Sequence, residues 1–285
     1  MSMTQADRIY TSLLNTTIIG GEQVSTRNSD TTSHFTLPNV TFTEFPLVTL
    51  RKTAVRKAIL EMEWFMSGQS KCPVPLLDWW NGQLDQDGFL IDGYAAQFRQ
   101  FTMEDSDGYV TKFDQVRFIL EGLRNFPNSR RLLLSCWNPG EMANIIESNN
   151  NPNTPTCCHS IVVQFFVRSG RLHMKTYQRS ADMLLGVPHN WVQSWAMLMY
   201  FAHHSGLEVG SMTWMWGDAH IYSETSHMEA VKALLEAEHT ELKHLKLVYS
   251  PKKDVTYGTP QFLMEDFTIV GAVPAPIYTG KVNLL

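Results

Sequence analysis

Four short segments carry residue types that could bind and attack a phosphorylated heterocycle. Residues 156–159 read TCCH, which places the thiols of Cys157 and Cys158 beside His159. The segments YQRSAD (177–182), LGVPHN (185–190) and GDAHIY (217–222) add a guanidinium, an amide and a His/Tyr pair. A thiolate is a nucleophile and a guanidinium fork suits phosphate. Taken singly, QRS could be an exposed turn and the histidine of GDAHIY a structural one, so only the combination indicates this chemistry.

The cysteine pattern favours a nucleophile over a disulfide or a metal site. The chain has four cysteines, Cys72, Cys136, Cys157 and Cys158. Without an export signal a disulfide framework is not expected, and cysteines adjacent in sequence bridge poorly. A zinc site needs two well-spaced ligand pairs, which CCH does not supply. We therefore expect no metal.

Charge and hydropathy exclude several classes of protein. The net charge is −5 and the pI is about 6.0, which disfavours nucleic acid and anionic membranes as partners. The N-terminal segment has neither the basic and apolar regions of a secretion signal nor the character of a transit peptide. The longest apolar stretch, WAMLMYFA, is too short to cross a bilayer. A cytoplasmic location is the expectation.

Hydrophobic periodicity predicts mixed helices and strands. Helices are expected over 51–67, ending before Gly68, and over 115–126, 188–205 and 226–238. Strands are expected over 130–137, 160–168, 171–177 and again within 242–250, with a hairpin turn at Ser169-Gly170. The Asn- and Pro-rich run 147–156 is expected to be a loop that leads into the cysteines. Because the order lacks regular βαβ alternation, the predicted fold class is α+β.

The motifs in this order, CCH, QFF, YQRSAD, LGVPHN and GDAHIY, resemble those of the thymidylate synthase family, which includes pyrimidine nucleotide hydroxymethylases. Further similar segments are TRNSD, FPLVTLRK, AILEMEWFMSG, GYAAQFR, NSRRLLLSCWNPGE and EDFTIVG, so the resemblance covers nearly the whole chain. It implies a single catalytic domain over residues 1–285, in which a mixed sheet packs with helices and one sheet face forms a homodimer. It also implies a pyrimidine nucleotide substrate and 5,10-methylenetetrahydrofolate as co-substrate.

The resemblance assigns a role to each candidate site residue. Cys158 aligns with the nucleophile that adds to C6 of the pyrimidine, with Arg179 favouring its thiolate form. The implied catalytic set is completed by Glu61, Tyr94, His159, Asp182 and Asn190. Nucleotide binding is implied for Arg27, Gln178, Arg179, Ser180, Asn190, His220 and Tyr222, and for Arg130 and Arg131 donated by the second subunit. Folate binding is implied for Arg51, Leu77, Trp80, Asp182 and Gly186.

Simpler interpretations remain beside these assignments. Cys157, where relatives often carry proline, is interpreted as a spacer. Arg130 and Arg131 could be a solvated pair at the start of a strand. Glu61 could face solvent, although its apolar neighbours favour burial, which would raise its pKa. Trp64 and Trp80 could line either the core or the folate site.

Asn190 favours dUMP as substrate. An amide can accept from N3–H and donate to O4 of uracil. In the deoxycytidylate hydroxymethylases of the family this position is aspartate. A flipped amide could also serve cytosine, so the choice between dUMP and dCMP stays open at this level.

Several departures from the synthase pattern favour a hydroxymethylase. Leu77 stands where synthases carry a tryptophan that borders the reaction intermediate, His189 replaces a phenylalanine, and Trp216 replaces a glycine. The loop before the nucleophile is longer, and a more polar wall would admit water to the intermediate. We therefore expect 5-hydroxymethylation of dUMP, as in phages that replace a DNA base, with thymidylate synthase and dCMP hydroxymethylase as alternatives. A catalytically inactive binding protein is disfavoured because the catalytic residue types are all present.

Overall fold

The computed structural model describes residues 2–26, 29–80, 82–90, 93–104, 106–139, 159–237, 241–242, 244–252 and 258–282. The helices are α1 (Gln5–Gly20), α2 (Val55–Ser67), α3 (Leu77–Trp80), α4 (Tyr94–Arg99), α5 (Gln115–Asn125), α6 (Val187–His204) and α7 (Thr225–Glu236), with 3₁₀ turns at Val74–Leu76 and Met264–Asp266. The strands are β1 (Ser2–Met3), β2 (Glu22–Ser25), β3 (Asp30–His34), β4 (Val40–Phe42), β5 (Phe101–Glu104), β6 (Val110–Phe113), β7 (Leu133–Ser135), β8 (Val162–Arg168), β9 (Arg171–Asp182), β10 (Glu208–Tyr222), β11 (Glu241–Leu242), β12 (Lys246–Tyr249) and β13 (Phe267–Val270).

A seven-stranded mixed sheet organises the described chain. Its strand order is β2-β3-β10-β9-β8-β7, and β4 pairs with part of β10. The strands β9 and β10 run parallel, while β8 pairs antiparallel with both β7 and β9. The short pairs β1-β11, β5-β6 and β12-β13 lie outside this sheet. The predicted α+β class is confirmed.

The helix α6 crosses from β9 to β10 and is buried along most of its length. Trp191, Ala196, Leu198 and Phe201 are each fully buried, as expected for a helix that is apolar on most faces. It packs against α2, whose Phe65 and Met62 are also fully buried. The crossover therefore holds the first turn of α6 beside the carboxyl ends of β9 and β10.

Local sequence signals account for several element boundaries. The helix α2 ends at Gly68, which has a φ of 75° and donates its amide hydrogen to Phe65, so a left-handed residue closes the helix as predicted. Ser169 and Gly170, with φ of 50° and 74°, form the predicted hairpin between β8 and β9. At the N-terminus of α1, Thr4 and Asp7 form a capping box.

Some predicted boundaries were wrong. The strand predicted over 130–137 is limited to Leu133–Ser135, and the helix predicted from residue 51 begins at Val55. Conversely, the strand predicted over 171–177 continues to Asp182 because β10 pairs with it along that extra length. The loop predicted over 147–156 lies outside the described residues. None of the described helices has the length and apolar character that a membrane span requires.

Candidate active site

A cavity of about 380 Å³ opens where the carboxyl ends of β9 and β10 meet the first turn of α6. Parallel strands joined by a crossover helix commonly place ligand-binding residues at this end. The strands supply Gln178, Ser180 and Asp182 from β9, where alternate residues share a face, and His220 and Tyr222 from β10. The remaining walls come from α2, α3 and α4. The lining residues are Glu61, Trp79, Trp80, Gln83, Tyr94, His159, Gln178, Ser180, Asp182, Leu185, Gly186, His189, Asn190, His220 and Tyr222.

Asn190 is held by two other amides. Its Oδ1 accepts from Nε2 of Gln178 at 3.0 Å, and its Nδ2 donates to Oε1 of Gln193 at 3.1 Å. Gln178 in turn accepts from the indole nitrogen of Trp214 at 3.1 Å. Asn190 is only 6% exposed, so its position is determined by these contacts and not by solvent.

Glu61 is buried in α2, as its apolar neighbours predicted. Its side chain accepts hydrogen bonds from the indole of Trp80 and from Nε2 of Gln193. Burial raises the pKa of Glu61 to about 7, although both hydrogen bonds oppose the rise. A carboxyl group with a pKa near neutrality can give or take a proton at neutral pH.

Tyr94 and His159 stack at the back of the cavity. Their ring centroids are 4.8 Å apart with an interplanar angle of 25°, and the hydroxyl of Tyr94 accepts from the backbone amide of His159 at 3.1 Å. Phe65 also stacks with Tyr94, with ring centroids 4.3 Å apart, and its ring centroid lies 6.0 Å from that of His159. Burial lowers the pKa of His159 to about 3, so its imidazole is neutral at physiological pH.

His220 is oriented by a carboxylate on its own strand. Its Nδ1 lies 3.1 Å from Oδ2 of Asp218, and Ser33 donates to the other carboxylate oxygen. The hydrogen bond from His220 is the main cause of the lowered pKa of Asp218. Tyr222 lies beside the imidazole, with ring centroids 5.1 Å apart. The arrangement leaves Nε2 of His220 as the ring nitrogen that can meet a ligand hydroxyl.

Asp182 caps the turn that leads into α6. Its Oδ1 accepts from the backbone amides of Leu184 and Leu185 at 2.8 and 2.9 Å. The amide of Gly186 donates to the carbonyl of Asp182 at 3.1 Å, and the Gly186 carbonyl accepts from the amides of residues 189 and 190. The Asp182 carboxylate and Gly186 therefore shape the lip of the cavity.

His189 and Trp79 form the wall opposite the sheet. The imidazole lies 4.9 Å from the Trp79 ring in an edge contact, and both of its nitrogens are engaged. Its Nε2 accepts from the amide of Ala54 at 3.1 Å, so its Nδ1 donates to the carbonyl of Leu185 at 2.7 Å. Burial lowers the pKa of His189 to about 4. The imidazole is thus a neutral link between α2 and α6, with no ring nitrogen left to activate water.

Three residues assigned to this region do not line the cavity. Leu77 begins the same short helix as Trp79 and Trp80 but is 41% exposed. Trp216 is buried, donates to the carbonyl of Pro38 at 3.0 Å and packs near the indole of residue 191. Arg51 donates to the carbonyl of Leu184 and lines a separate cavity of about 460 Å³. The folate-binding roles of Leu77 and Arg51 stay predictions.

The arginines predicted to bind phosphate are not gathered in the described cavity. Arg179 lies between two cavity-lining residues of β9 and therefore points to the other face of the sheet, with its guanidinium carbon 5.5 Å from the centre of the Trp137 ring. Arg130 and Arg131 are both exposed and do not line the cavity. Donation from a second subunit remains a prediction.

Cys157, Cys158 and Arg27 lie outside the described residues. His159, which follows the predicted nucleophile in the sequence, lines the cavity. Both cysteines that the structure describes, Cys72 and Cys136, are free and buried. Burial raises the pKa of Cys72 to about 11, so its thiol is not a nucleophile at neutral pH. Among the described residues, no group of three or more His, Cys, Asp or Glu side chains could hold a metal ion.

Sequence reasoning missed four polar or aromatic contributors, Trp79, Gln83, Gln193 and Trp214. Gln193 was detectable as an amide within a largely apolar helix, three residues after Asn190 and therefore on the same helix face. Trp79 was detectable as the neighbour of Trp80 in the motif LDWW. For Trp214 the local sequence carries no signal, because its partner Gln178 is on another strand.

Comparisons with known proteins agree with this geometry. A sequence model of the thymidylate synthase family matches residues 8–283. The thymidylate synthase of Corynebacterium aurimucosum is 34% identical over 248 residues, which cover 84% of this chain and 83% of the relative. The thymidylate synthase of Vesicomyosocius okutanii is 33% identical over 239 residues, covering 82% and 84% respectively.

The fold, the cavity and these matches together define a one-carbon transferase that acts on a pyrimidine nucleotide. The chain belongs to the thymidylate synthase family. Enzymes of this family transfer a one-carbon unit to C5 of dUMP with methylenetetrahydrofolate as co-substrate.

Proposed function

We propose that this chain converts dUMP and methylenetetrahydrofolate, with water, to 5-hydroxymethyl-dUMP and tetrahydrofolate. The observation that carries the proposal is that Leu77, which begins the helix whose other end supplies the cavity wall, is exposed and does not line or cover the cavity. Where the synthases of the family carry an indole at this position, leucine shields less of the site from solvent. Water can then reach the intermediate.

The sheet side of the cavity fits a pyrimidine nucleotide. Asn190 retains one oxygen lone pair and one N–H beyond its contacts with Gln178 and Gln193, which suits N3–H and O4 of uracil. His220 and Tyr222 are placed to bind the sugar hydroxyl. Phosphate binding is assigned to Arg27, Arg179 and Ser180, with Arg130 and Arg131 of a second subunit.

The other side of the cavity fits a pterin ring. Trp79 and Trp80 offer an aromatic wall, and Asp182 offers a carboxylate to ring N–H donors. Methylenetetrahydrofolate, when bound, supplies the one-carbon unit. Asp182, Trp80 and Gly186 would hold it, with Arg51 and Leu77 further out.

The residues then act in a defined order. The thiolate of Cys158 adds to C6 of dUMP, and the electron pair displaced to C5 forms the new bond to the one-carbon unit. Tyr94 is assigned the removal of the C5 proton, while Glu61 and His159 are assigned to organise water near O4. Loss of that proton and departure of tetrahydrofolate would leave an exocyclic methylene on the nucleotide. Hydroxide from water adds to this methylene, and expulsion of the Cys158 thiolate restores the C5–C6 double bond.

Thymidylate synthase is the second candidate. It is favoured by the names of the two relatives reported above and by Trp79, which places an indole in the wall two residues from position 77. The two reactions share every step up to the methylene and differ in whether hydride or water completes them.

We further propose that residues 1–285 form one catalytic domain and that two copies associate through the open face of the large sheet. Phe166, Tyr177 and Met215 project from that face and are only partly buried in the single chain. Apolar side chains left partly exposed on a sheet are typical of a subunit interface.

The test is to incubate the purified protein with dUMP and methylenetetrahydrofolate and to identify the nucleotide product by mass spectrometry. We expect 5-hydroxymethyl-dUMP without the absorbance increase that accompanies dihydrofolate. Formation of dTMP with dihydrofolate would establish the synthase instead. Faster turnover of dCMP in a parallel reaction would overturn the choice of dUMP.

A further inference from the structure

Gln193 is a buried amide with no assigned role. It lies on α6 with no exposed surface, next to the buried Val192 and one turn before the buried Ala196 and Met197. Burying an amide is costly unless its donors and acceptor are satisfied. Gln193 meets this requirement by bridging two residues of the site, Asn190 on its own helix and Glu61 on α2.

A continuous row of hydrogen bonds runs through this bridge. It begins at the indole N–H of Trp214, which donates to Oε1 of Gln178 at 3.1 Å. Gln178 donates from Nε2 to Oδ1 of Asn190 at 3.0 Å, and Asn190 donates from Nδ2 to Oε1 of Gln193 at 3.1 Å. The row ends at Glu61, which accepts from Nε2 of Gln193.

The two ends of the row allow only one direction. An indole N–H donates and cannot accept, so Gln178 must turn its oxygen toward Trp214. At the other end an ionised Glu61 can only accept, so Gln193 must turn its amide nitrogen toward it. Both constraints give the same orientation for each amide between them. This direction therefore follows from the chemistry of the ends and not from which amide atom is drawn as oxygen.

We propose that Gln193 is a positioning residue that couples the orientation of the Asn190 amide to the ionised state of Glu61. The proposal rests on the proposed function to the extent that Asn190 faces the pyrimidine edge. Flipping Asn190 alone would set its NH₂ against that of Gln178 and its oxygen against that of Gln193. The coupling thus keeps the acceptor and donor in the order that uracil requires, whereas cytosine, with its amino group at C4 and no proton on N3, requires the reverse.

The same row acts on Glu61 from the other side. Each carboxylate oxygen of Glu61 already accepts a hydrogen bond, one from Gln193 and one from the indole of Trp80. Protonating the carboxyl would therefore place its own O–H donor against one of these donors. Gln193 could accept that proton only by turning its own NH₂ against Nδ2 of Asn190. Burial raises the pKa of Glu61 to about 7, and the hydrogen bond from Gln193 opposes a further rise.

The other titratable groups around Glu61 do not take over the effect of Gln193 on its protonation. Cys72 is neutral, because burial raises its pKa to about 11, and the buried imidazoles of His159 and His189 have pKa values of about 3 and 4. The titratable side chains that line the same cavity are Tyr94, His159, Asp182, His189, His220 and Tyr222.

The decisive variant is Gln193→Met, which keeps the length of the side chain but removes its donor and acceptor. We expect the ratio of kcat/KM for dUMP over dCMP to fall roughly tenfold, the effect of releasing one oriented hydrogen bond. We also expect the acid limb of the kcat profile to move to higher pH by about one unit, because Glu61 loses a donor to its charged form. A ratio and an acid limb both equal to those of the wild type, in a folded variant, would overturn the proposal.

Two further variants serve as a control and as an independent test of the coupling. Ser194→Ala alters the adjacent buried polar residue, whose hydroxyl has no hydrogen-bond partner in the part of the chain that the structure describes, and should change neither readout. Trp214→Phe removes the donor at the far end of the row and should relax the nucleotide preference while moving the acid limb less. If Gln193→Met fails to fold by circular dichroism, an unchanged preference in Trp214→Phe would itself contradict the coupling.

The test of Gln193 can be distinguished from the test of the proposed function. The identity of the product tests hydroxymethylation, whereas the dUMP/dCMP ratio and the acid limb can be measured for either product. If the wild type forms no product, equilibrium binding of dUMP and dCMP to the wild type and Gln193→Met replaces the kinetic ratio, with the same tenfold change expected.

Discussion

The two sides of the cavity hold their residues by different means. On the sheet side, Gln178, Asn190 and His220 each have a polar partner at 3.0–3.1 Å. On the α3 side, Trp79 meets His189 as an edge-on ring contact, and Leu77 is left exposed. A connected row of hydrogen bonds constrains the first side. On the second side, ring packing is supplemented by the hydrogen bonds of His189 to Ala54 and Leu185 and of Trp80 to Glu61.

The difference indicates which part of the reaction each side controls. In a connected hydrogen-bond row, changing one member leaves others unsatisfied, so the nucleotide side can vary little. Aromatic and aliphatic contacts tolerate replacement when volume is roughly kept. We therefore propose that the sheet side recognises the nucleotide and that the α3 side determines whether water or hydride completes the reaction.

The largest expected loss of activity comes from replacing the predicted nucleophile, which is assigned to neither side of the cavity. Cys158→Ser should reduce turnover by a factor on the order of 10⁴ or more, because a hydroxyl is a far weaker nucleophile for C6 than a thiolate. Cys157→Ser, its matched control, should retain most activity in the same product assay. The reverse result would mean that the adjacent thiols have been assigned in the wrong order.

The next effect probes the end of the hydrogen-bond row. Glu61→Gln should lower kcat by about 10²–10⁴-fold, the usual contribution of a proton-handling group. Steady-state kinetics with dUMP measure the loss. Glu121→Gln, on an exposed helix surface, is the control and should be active. Wild-type kcat in Glu61→Gln would remove Glu61 from the mechanism.

Glu61 should also make stability depend on pH. Because its folded pKa is raised from 4.5 to about 7, its protonated form stabilises the fold fully below pH 4.5, and this contribution is lost as pH rises through 7. The loss should approach about 3 kcal/mol in the free energy of unfolding, given 1.36 kcal/mol per pKa unit. Urea denaturation of wild type and Glu61→Gln between pH 5 and 8 measures the difference, which should be independent of pH if Glu61 is not responsible.

A smaller effect tests the aromatic side. Leu77→Trp should shield the intermediate and lower the ratio of hydroxymethyl to methyl product about fivefold, the result of a 1 kcal/mol change in relative barriers. Val74→Trp adds the same indole at a position that is 80% exposed and should leave the ratio unchanged. An unchanged ratio in Leu77→Trp would place the control of product elsewhere in the wall.

The smallest effect concerns the link between α2 and α6. His189→Phe keeps the ring contact with Trp79 but leaves the amide of Ala54 and the carbonyl of Leu185 without this partner. The free energy of unfolding should fall by about 1–2 kcal/mol. Urea denaturation at pH 7 measures it, and unchanged stability would show that solvent replaces both bonds.

Local patterns predicted the elements better than their contacts. The end of α2 at Gly68 and the turn at Ser169-Gly170 follow from short-range chemistry, which is why both were predicted. The full length of β9 depends on its pairing with β10, and no local pattern contains that partner. The same limit explains why Leu77 and Trp216 were placed near the site by motif position, while the structure directs neither side chain into the cavity.

The site shows the same division between local and long-range information. The burial of Glu61 was predicted from its apolar helix neighbours and is confirmed at 7% exposure. Its contact with Gln193 joins residues 132 positions apart and could not be predicted from spacing. The motifs located the residues of the sheet side, but only the fold shows how they are connected.

The most direct test of the central claim is to follow the oxygen of water into the product. In ¹⁸O-labelled water, dUMP and methylenetetrahydrofolate should yield a hydroxymethyl nucleotide that carries one labelled oxygen, detected by mass spectrometry. A reaction without folate controls for exchange into dUMP. Unlabelled dTMP as the sole product would contradict the claim that water completes the reaction.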